Sequence, residues 1–206
     1  MLTYETLNEK DINRFVELQV EAFMDYEFFS RYVPGERRRR RFLTSLFTTD
    51  VRVNWGRQHF LAARDESGRI VAVAALREPG YERPSNGAYL RAGVWRAILA
   101  GGYRAMKTWL DMEDAAIVPC QDLTEDWFLN VLAVDAQIKG RGLGSAMLQE
   151  CVIPYVREHG AAHLCLFTNA QINRRFYEKN GFAEFDERFF DHDGARIGSW
   201  SYRRAL

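Results

Sequence analysis

The sequence predicts an α/β fold, a central mixed sheet with helices on both faces. Three observations carry this. The apolar run Trp127 to Val134 reads as a buried strand, and it leads through Gly140, Gly142 and Gly144 into a helical pattern from Leu143 to Val156. A second strand, polar turn and helix follow over 163–182 and end at Asn180-Gly181, a natural helix stop. Paired apolar runs at 59–76 and 183–202 are spaced as hairpins.

Element by element, Thr3 to Leu7 is a short first strand. Asp11 to Phe23 places Ile12, Phe15, Val16, Leu18, Val20, Ala22 and Phe23 on a broad apolar helix face. Asp25 to Val33 is aromatic-rich and expected to be irregular, ending at Pro34-Gly35. A second helix runs from Glu36 to about Thr48, with Phe42, Leu43, Leu46 and Phe47 on its core face. The arginine run Arg37 to Arg41 circles its first turns and reads as a solvated surface. His59 to Arg64 and Ile70 to Leu76 are strands joined by Asp65-Glu66-Ser67-Gly68. Pro79 to Asn86 is a loop. Leu90 to Leu110 is helical, with an interruption at Gly101-Gly102, and Glu113 to Asp126 is a polar connection containing Pro119. After the two strand–turn–helix units, 183–190 and 195–202 close the chain around an Asp-Gly turn. No internal repeat or low-complexity linker appears, so 1–206 is expected to form one domain.

Composition bounds the function. Apolar residues are 47% and charged residues 27%, ordinary for a globular protein. Lys+Arg and Asp+Glu are both 28, and this balance argues against a whole-surface nucleic-acid binder. No targeting segment and no apolar run of about 18 residues is evident, so no membrane association is expected. Cys120, Cys151 and Cys165 are scattered, without metal-ligand spacing, and read as reduced thiols of a cytoplasmic protein. His192 lies beside the Asp193-Gly194 turn, which is read as a hairpin rather than a metal site. No metal is expected.

The glycine turn carries the chemistry. A strand that runs through glycines into a helix leaves backbone N–H groups converging at the positive end of the helix dipole, where phosphate binds. Arg141 and Lys139 add positive charge. Spacing excludes three familiar cradles. There is no Gly-x-x-x-x-Gly-Lys-Ser/Thr run, the dinucleotide pattern lacks its third glycine, and a kinase loop fails in the same way. What remains is Gln137-x-x-Gly140-x-Gly142. It resembles the acetyl-CoA-binding signature of the GNAT acetyltransferase superfamily. Asn173-x-x-Phe176-Tyr177-Glu178-Lys179-x-Gly181-Phe182 looks like the next signature of that superfamily, in the right order. The resemblance covers about residues 125 to 205 and is nearest to the branch that includes puromycin N-acetyltransferase; the first 120 residues match only in layout.

The resemblance implies an N-acetyltransferase of GNAT-like fold, with 1–126 as the acceptor-side half and 127–206 as the acetyl-CoA half. It implies that the strand carrying Leu132 and Val134 hydrogen-bonds the pantetheine arm. The N–H groups of Gly140, Arg141, Gly142, Leu143, Gly144 and Ser145, together with Gln137, would hold the pyrophosphate. Asn173 would contact the cofactor, and Tyr177 would donate a proton to the leaving sulfur. The implied acceptor is a small-molecule primary amine, with a protein N-terminus or lysine, or a degenerate CoA-binding module, as rivals; a homodimer is a further expectation. Phe167 stands where relatives often carry Glu, so the base is open between Asp25, Glu27, Asp126 and water. An alkylammonium has a pKa near 10, so its proton has to go somewhere.

Overall fold

The computed structural model describes residues 1–138, 140–192 and 194–206; Lys139 and Asp193 lie outside the described residues. The strands are β1 (Thr3–Thr6), β2 (His59–Arg64), β3 (Ile70–Arg77), β4 (Trp127–Val134), β5 (His163–Thr168), β6 (Ala183–His192) and β7 (Ala195–Ala205). Among the described residues they form one seven-stranded sheet in the order β1-β2-β3-β4-β5-β7-β6. Within it only β4 and β5 pair in parallel; the other neighbours are antiparallel.

The helices are α1 (Ile12–Phe23), α2 (Glu27–Tyr32), α3 (Glu36–Asn54), α4 (Asn86–Ala92), α5 (Trp95–Gly101) and α6 (Tyr103–Gln121) before β4, then α7 (Leu143–Ala146), α8 (Ile153–Glu158) and α9 (Ile172–Lys179). The sheet separates two apolar cores. Val73, Ala75, Val131 and Ala133 face the first, with Phe15, Phe28, Phe29 and Phe42 from the early helices. Ala72, Ala74 and Leu76 face the second, with Met147, Leu148, Val156 and Tyr177. Because β3 is buried on both faces it reads as a continuous apolar run, whereas the edge strand β6 alternates exposed and half-buried residues and carries charge.

Two irregularities of β4 shape the site. Ala75 pairs with Val131 and Leu76 with Leu129, so Asn130 is the extra residue of a bulge. The bulge switches faces: Leu129 belongs to the second core and Val131 to the first. Pairing with β5 is confined to Trp127↔Leu164 and Phe128↔Cys165. Beyond Phe128 the two strands part and leave a wedge.

Several helix boundaries differ from the sequence expectation, each for a physical reason. The segment expected to be irregular contains α2, because Phe28 and Phe29 are fully buried and Phe28 packs on Tyr32 one turn later, with ring centroids 4.8 Å apart. The α3 helix runs on to Asn54, since Val51 and Asn54 are also buried. The 90–110 helix breaks at Gly102, where the interruption at Gly101-Gly102 was expected, and also at Gly93; the two glycines have φ of 90° and 103°. The expected connection from Glu113 is helix as far as Gln121, despite Pro119. A proline in a helix frees the carbonyl four residues back. Here that carbonyl is Ala115 O, and Arg188 Nη1 donates to it at 3.2 Å. The helix after the glycine turn contains a π-helical stretch, Met147–Val152, just ahead of Pro154. The wider turn accommodates a residue that can neither donate to Glu150 O nor pack against it.

Candidate active site

The wedge opens into a cavity of about 1360 Å³ that reaches both halves of the chain. Its C-terminal wall contains Leu132, Val134, Gly140, Gly142, Leu143, Gly144, Ser145, Asn173 and Tyr177, all from the expected site. Gln137 and Arg141 are exposed beside it and are not among its lining residues. The Gln137 N–H donates to Asp135 Oδ1 at 2.9 Å, and buried Asp135 is held by Arg14 Nη2 at 2.8 Å. This locks the start of the turn to α1.

Gly140 and Gly142 have φ of 86° and 81°, a region that L side chains rarely occupy. A Cβ at either position would meet no atom within 4 Å, so the turn presents open backbone to the cavity. No side chain caps α7, so the first N–H groups of that helix lack an intrahelical or capping partner. Gly144 is glycine for a different reason: a Cβ there would lie 3.1 Å from the Phe176 ring.

The second signature builds the far end. Asn173 Nδ2 donates to Thr168 Oγ1 at 3.0 Å, pinning the start of α9 to the end of β5. The Tyr26 hydroxyl accepts from the Asn169 N–H at 2.9 Å, so the segment before α2 closes over the same point. Tyr177 is buried between Phe176, Phe182 and Tyr202. Among the described residues its hydroxyl has no hydrogen-bond partner, and Tyr177 lines the cavity. Burial, with Tyr26 and Tyr202 nearby, raises its pKa well above the ordinary phenol value. Tyr177 therefore stays protonated at neutral pH and is available as a donor.

The N-terminal wall holds charged residues that the sequence reading missed. Asp50 of α3, Arg77 of β3 and Glu113 of α6 all line the cavity. Burial raises the Glu113 carboxyl to about 7, against the pull of Arg77. Burial raises Asp50 as well, again opposed first by Arg77. Asp50 is tethered by Asn54 Nδ2 at 2.9 Å and the Tyr89 hydroxyl at 3.2 Å. Glu113 has no hydrogen-bond or ion-pair partner among the described residues. A signal for it exists: Met106, Trp109, Met112, Ala116 and Cys120 continue a helical apolar stripe straight through 113–120. Of the carboxylates singled out in the sequence, Asp25 is exposed on the cavity wall and Glu27 is exposed outside it. Asp126 lies elsewhere, buried and bound by Arg203 Nε at 2.7 Å and Nη2 at 2.9 Å. Phe167 lines the cavity and packs on Phe128, with centroids 5.9 Å apart. Among the described residues no cluster of metal-binding side chains occurs, and no helix is long and apolar enough to cross a membrane.

Residues 106–184 match the acetyltransferase (GNAT) domain family. The match spans α6 to the start of β6, and over that stretch the chain is similar to GNAT acetyltransferases. Solved structures share its fold along nearly the whole length. One, a histone acetyltransferase HPA2 and related acetyltransferase from Corynebacterium glutamicum, is 20% identical with a TM-score of 0.68, over 100% of this chain and 97% of that one. The polyamine N-acetyltransferase of Drosophila melanogaster is 16% identical with a TM-score of 0.61, over 100% of both chains. A ribosomal-protein-alanine N-acetyltransferase from Brucella melitensis is 16% identical with a TM-score of 0.57, over 99% of both chains. No curated protein sequence matches the chain.

Proposed function

We propose that this domain transfers an acetyl group from acetyl-CoA to a primary amine of a small molecule. One observation carries the reading: a single cavity joins the uncapped glycine turn to an unpartnered Tyr177 hydroxyl and an unpartnered Glu113 carboxylate. The open backbone at Gly140 and Gly142 and the partnerless edge of β4 fit a long, phosphate-bearing thioester. Acetyl-CoA, when bound, supplies an acyl group activated on a thiol leaving group. Leu132 and Val134 would hold the pantetheine arm through their backbone, and Asn173 would bracket it from α9. Gly140 to Ser145, with Gln137 and Arg141 at the rim, would take the pyrophosphate.

Glu113 is the base in this reading. A carboxylate poised near neutral pH accepts the ammonium proton without being permanently ionised. It occupies the role that Phe167 cannot fill, and it enters from a helix rather than from β5. Tyr177 returns a proton to the sulfur. The enclosure of these groups supports a small-molecule acceptor, since Glu113 is only partly exposed and Tyr177 is buried. The nearness of the C-terminal motifs to the puromycin N-acetyltransferase branch supports the same acceptor class.

Calorimetric titration with acetyl-CoA, followed by CoA release over a panel of small amines and N-terminal peptides, tests the proposal. Saturable binding and turnover of small amines are expected. No heat with acetyl-CoA would overturn the reading, and turnover of peptides alone would replace the acceptor class.

A further inference from the structure

Arg77 ends β3 with its guanidinium between two rings, 4.8 Å from the Tyr81 centroid and 5.4 Å from that of Phe128. Its Nε is buried without a hydrogen-bond partner, and among the described residues the guanidinium neither hydrogen-bonds nor ion-pairs with a side chain. Arg83, the other arginine on this wall, is satisfied by Asp114 at 2.7 Å. A guanidinium fixed by aromatic faces, with its donors unused and a cavity in front of it, is preorganised for a ligand.

We propose that Arg77 seats a carboxylate of the acceptor, so that the substrate is an amine that carries its own acid group. This rests on the acetyl-transfer reading above and names its substrate class. Charge compensation of the wall does not account for the geometry. Asp50 and Glu113 both feel Arg77, yet Asp50 is bound to Asn54 and Tyr89, and neither carboxylate reaches the guanidinium. Those same two carboxylates limit the ligand. Burial pushes both toward the neutral acid, so one guanidinium can serve a singly charged carboxylate, whereas a dianionic phosphate would bring more charge than it can balance. The planar fork of arginine also matches a carboxylate edge with two parallel hydrogen bonds. The acceptor amine would then lie toward Glu113, with the chain between its two ends spanning the distance from β3 to α6.

The test compares ω-amino acids, from glycine to 6-aminohexanoate, with the n-alkylamine and the diamine of matching length. At the best-fitting length the wild type should favour the amino acid over the alkylamine by at least about tenfold in kcat/KM, because a site built to hydrogen-bond a group discriminates against its absence. Arg77→Met should bring that ratio to about one, and Arg77→Lys should restore part of it, as a point charge without the fork. Acetyl-CoA binding by calorimetry shows that both variants are folded. Preference for the alkylamine or diamine at every length, or an unchanged ratio in Arg77→Met, would overturn the proposal while leaving acetyl transfer intact. If the wild type turns over none of these compounds, calorimetry of the ω-amino acids on CoA-loaded protein decides. Binding that Arg77→Met abolishes upholds the carboxylate seat although the transfer reading has failed, and no binding rejects the seat.

Discussion

On the C-terminal side of the cavity the chain offers mainly backbone: the glycine turn, the uncapped start of α7, and the edge of β4 beyond Phe128. On the N-terminal side it offers side chains from separate elements: Tyr26 before α2, Asp50 in α3, Arg77 ending β3 and Glu113 in α6. A backbone site demands particular φ values and close approaches, so it leaves glycines at fixed spacing. A side-chain site demands only that distant helices converge, and convergence leaves no local pattern. The two walls can thus be read from the sequence to very different depths.

The sharpest way to break this division is Glu113→Gln, which keeps shape and removes the proposed base. Turnover should fall by about 10²–10⁴-fold, with acetyl-CoA affinity retained. Its pH profile carries the sign. Below about 7 Glu113 is protonated and cannot accept; above it the carboxylate is free, so kcat at saturating acceptor should rise with pH through that value. Glu113→Gln should flatten the rise. A persisting inflection would assign it to another group, with Asp50, also raised by burial, the first to be tested.

Tyr177→Phe probes the other wall. A loss of about 10²-fold in kcat is expected, with little change in acetyl-CoA affinity, because the hydroxyl has no structural partner to lose. Unchanged turnover across a pH series would remove Tyr177 from the chemistry.

Asp126 belongs to neither wall, and it shows why some of the site was illegible. Sequence position just before β4 made it a base candidate, but a buried carboxylate gripped by Arg203 through two bonds is structural. Asp126→Ala should cost about 2 kcal/mol of stability in denaturant unfolding, the scale of lost charged hydrogen bonds, with kcat of the folded protein preserved. Glu113 was hidden for the converse reason. Pro119 suggests a loop, and only the Arg188 contact at Ala115 O, from a strand some seventy positions later, explains how the helix survives it. The strands β2, β4 and β5 were legible to the residue because apolar runs bounded by turn residues encode them locally. The bulge at Asn130 was not legible, since it exists only in the register with β3.

The smallest expected effect separates two meanings of glycine inside the turn itself. Gly140 and Gly142 are held by φ, but Gly144 is helical, and its constraint is the Phe176 ring, 3.1 Å from where an alanine methyl would sit. Gly144→Ala gains about 1 kcal/mol of helix propensity at most, less near an N-terminus, and loses a similar amount to overpacking. Stability should therefore move by less than about 1 kcal/mol. Phe176, however, is only partly buried and borders the cavity, so the ring yields in that direction. Acetyl-CoA affinity should weaken about threefold, a fraction of the tenfold that 1.4 kcal/mol would bring. If the loss appeared in stability with affinity intact, Phe176 would be a core residue rather than part of the C-terminal wall.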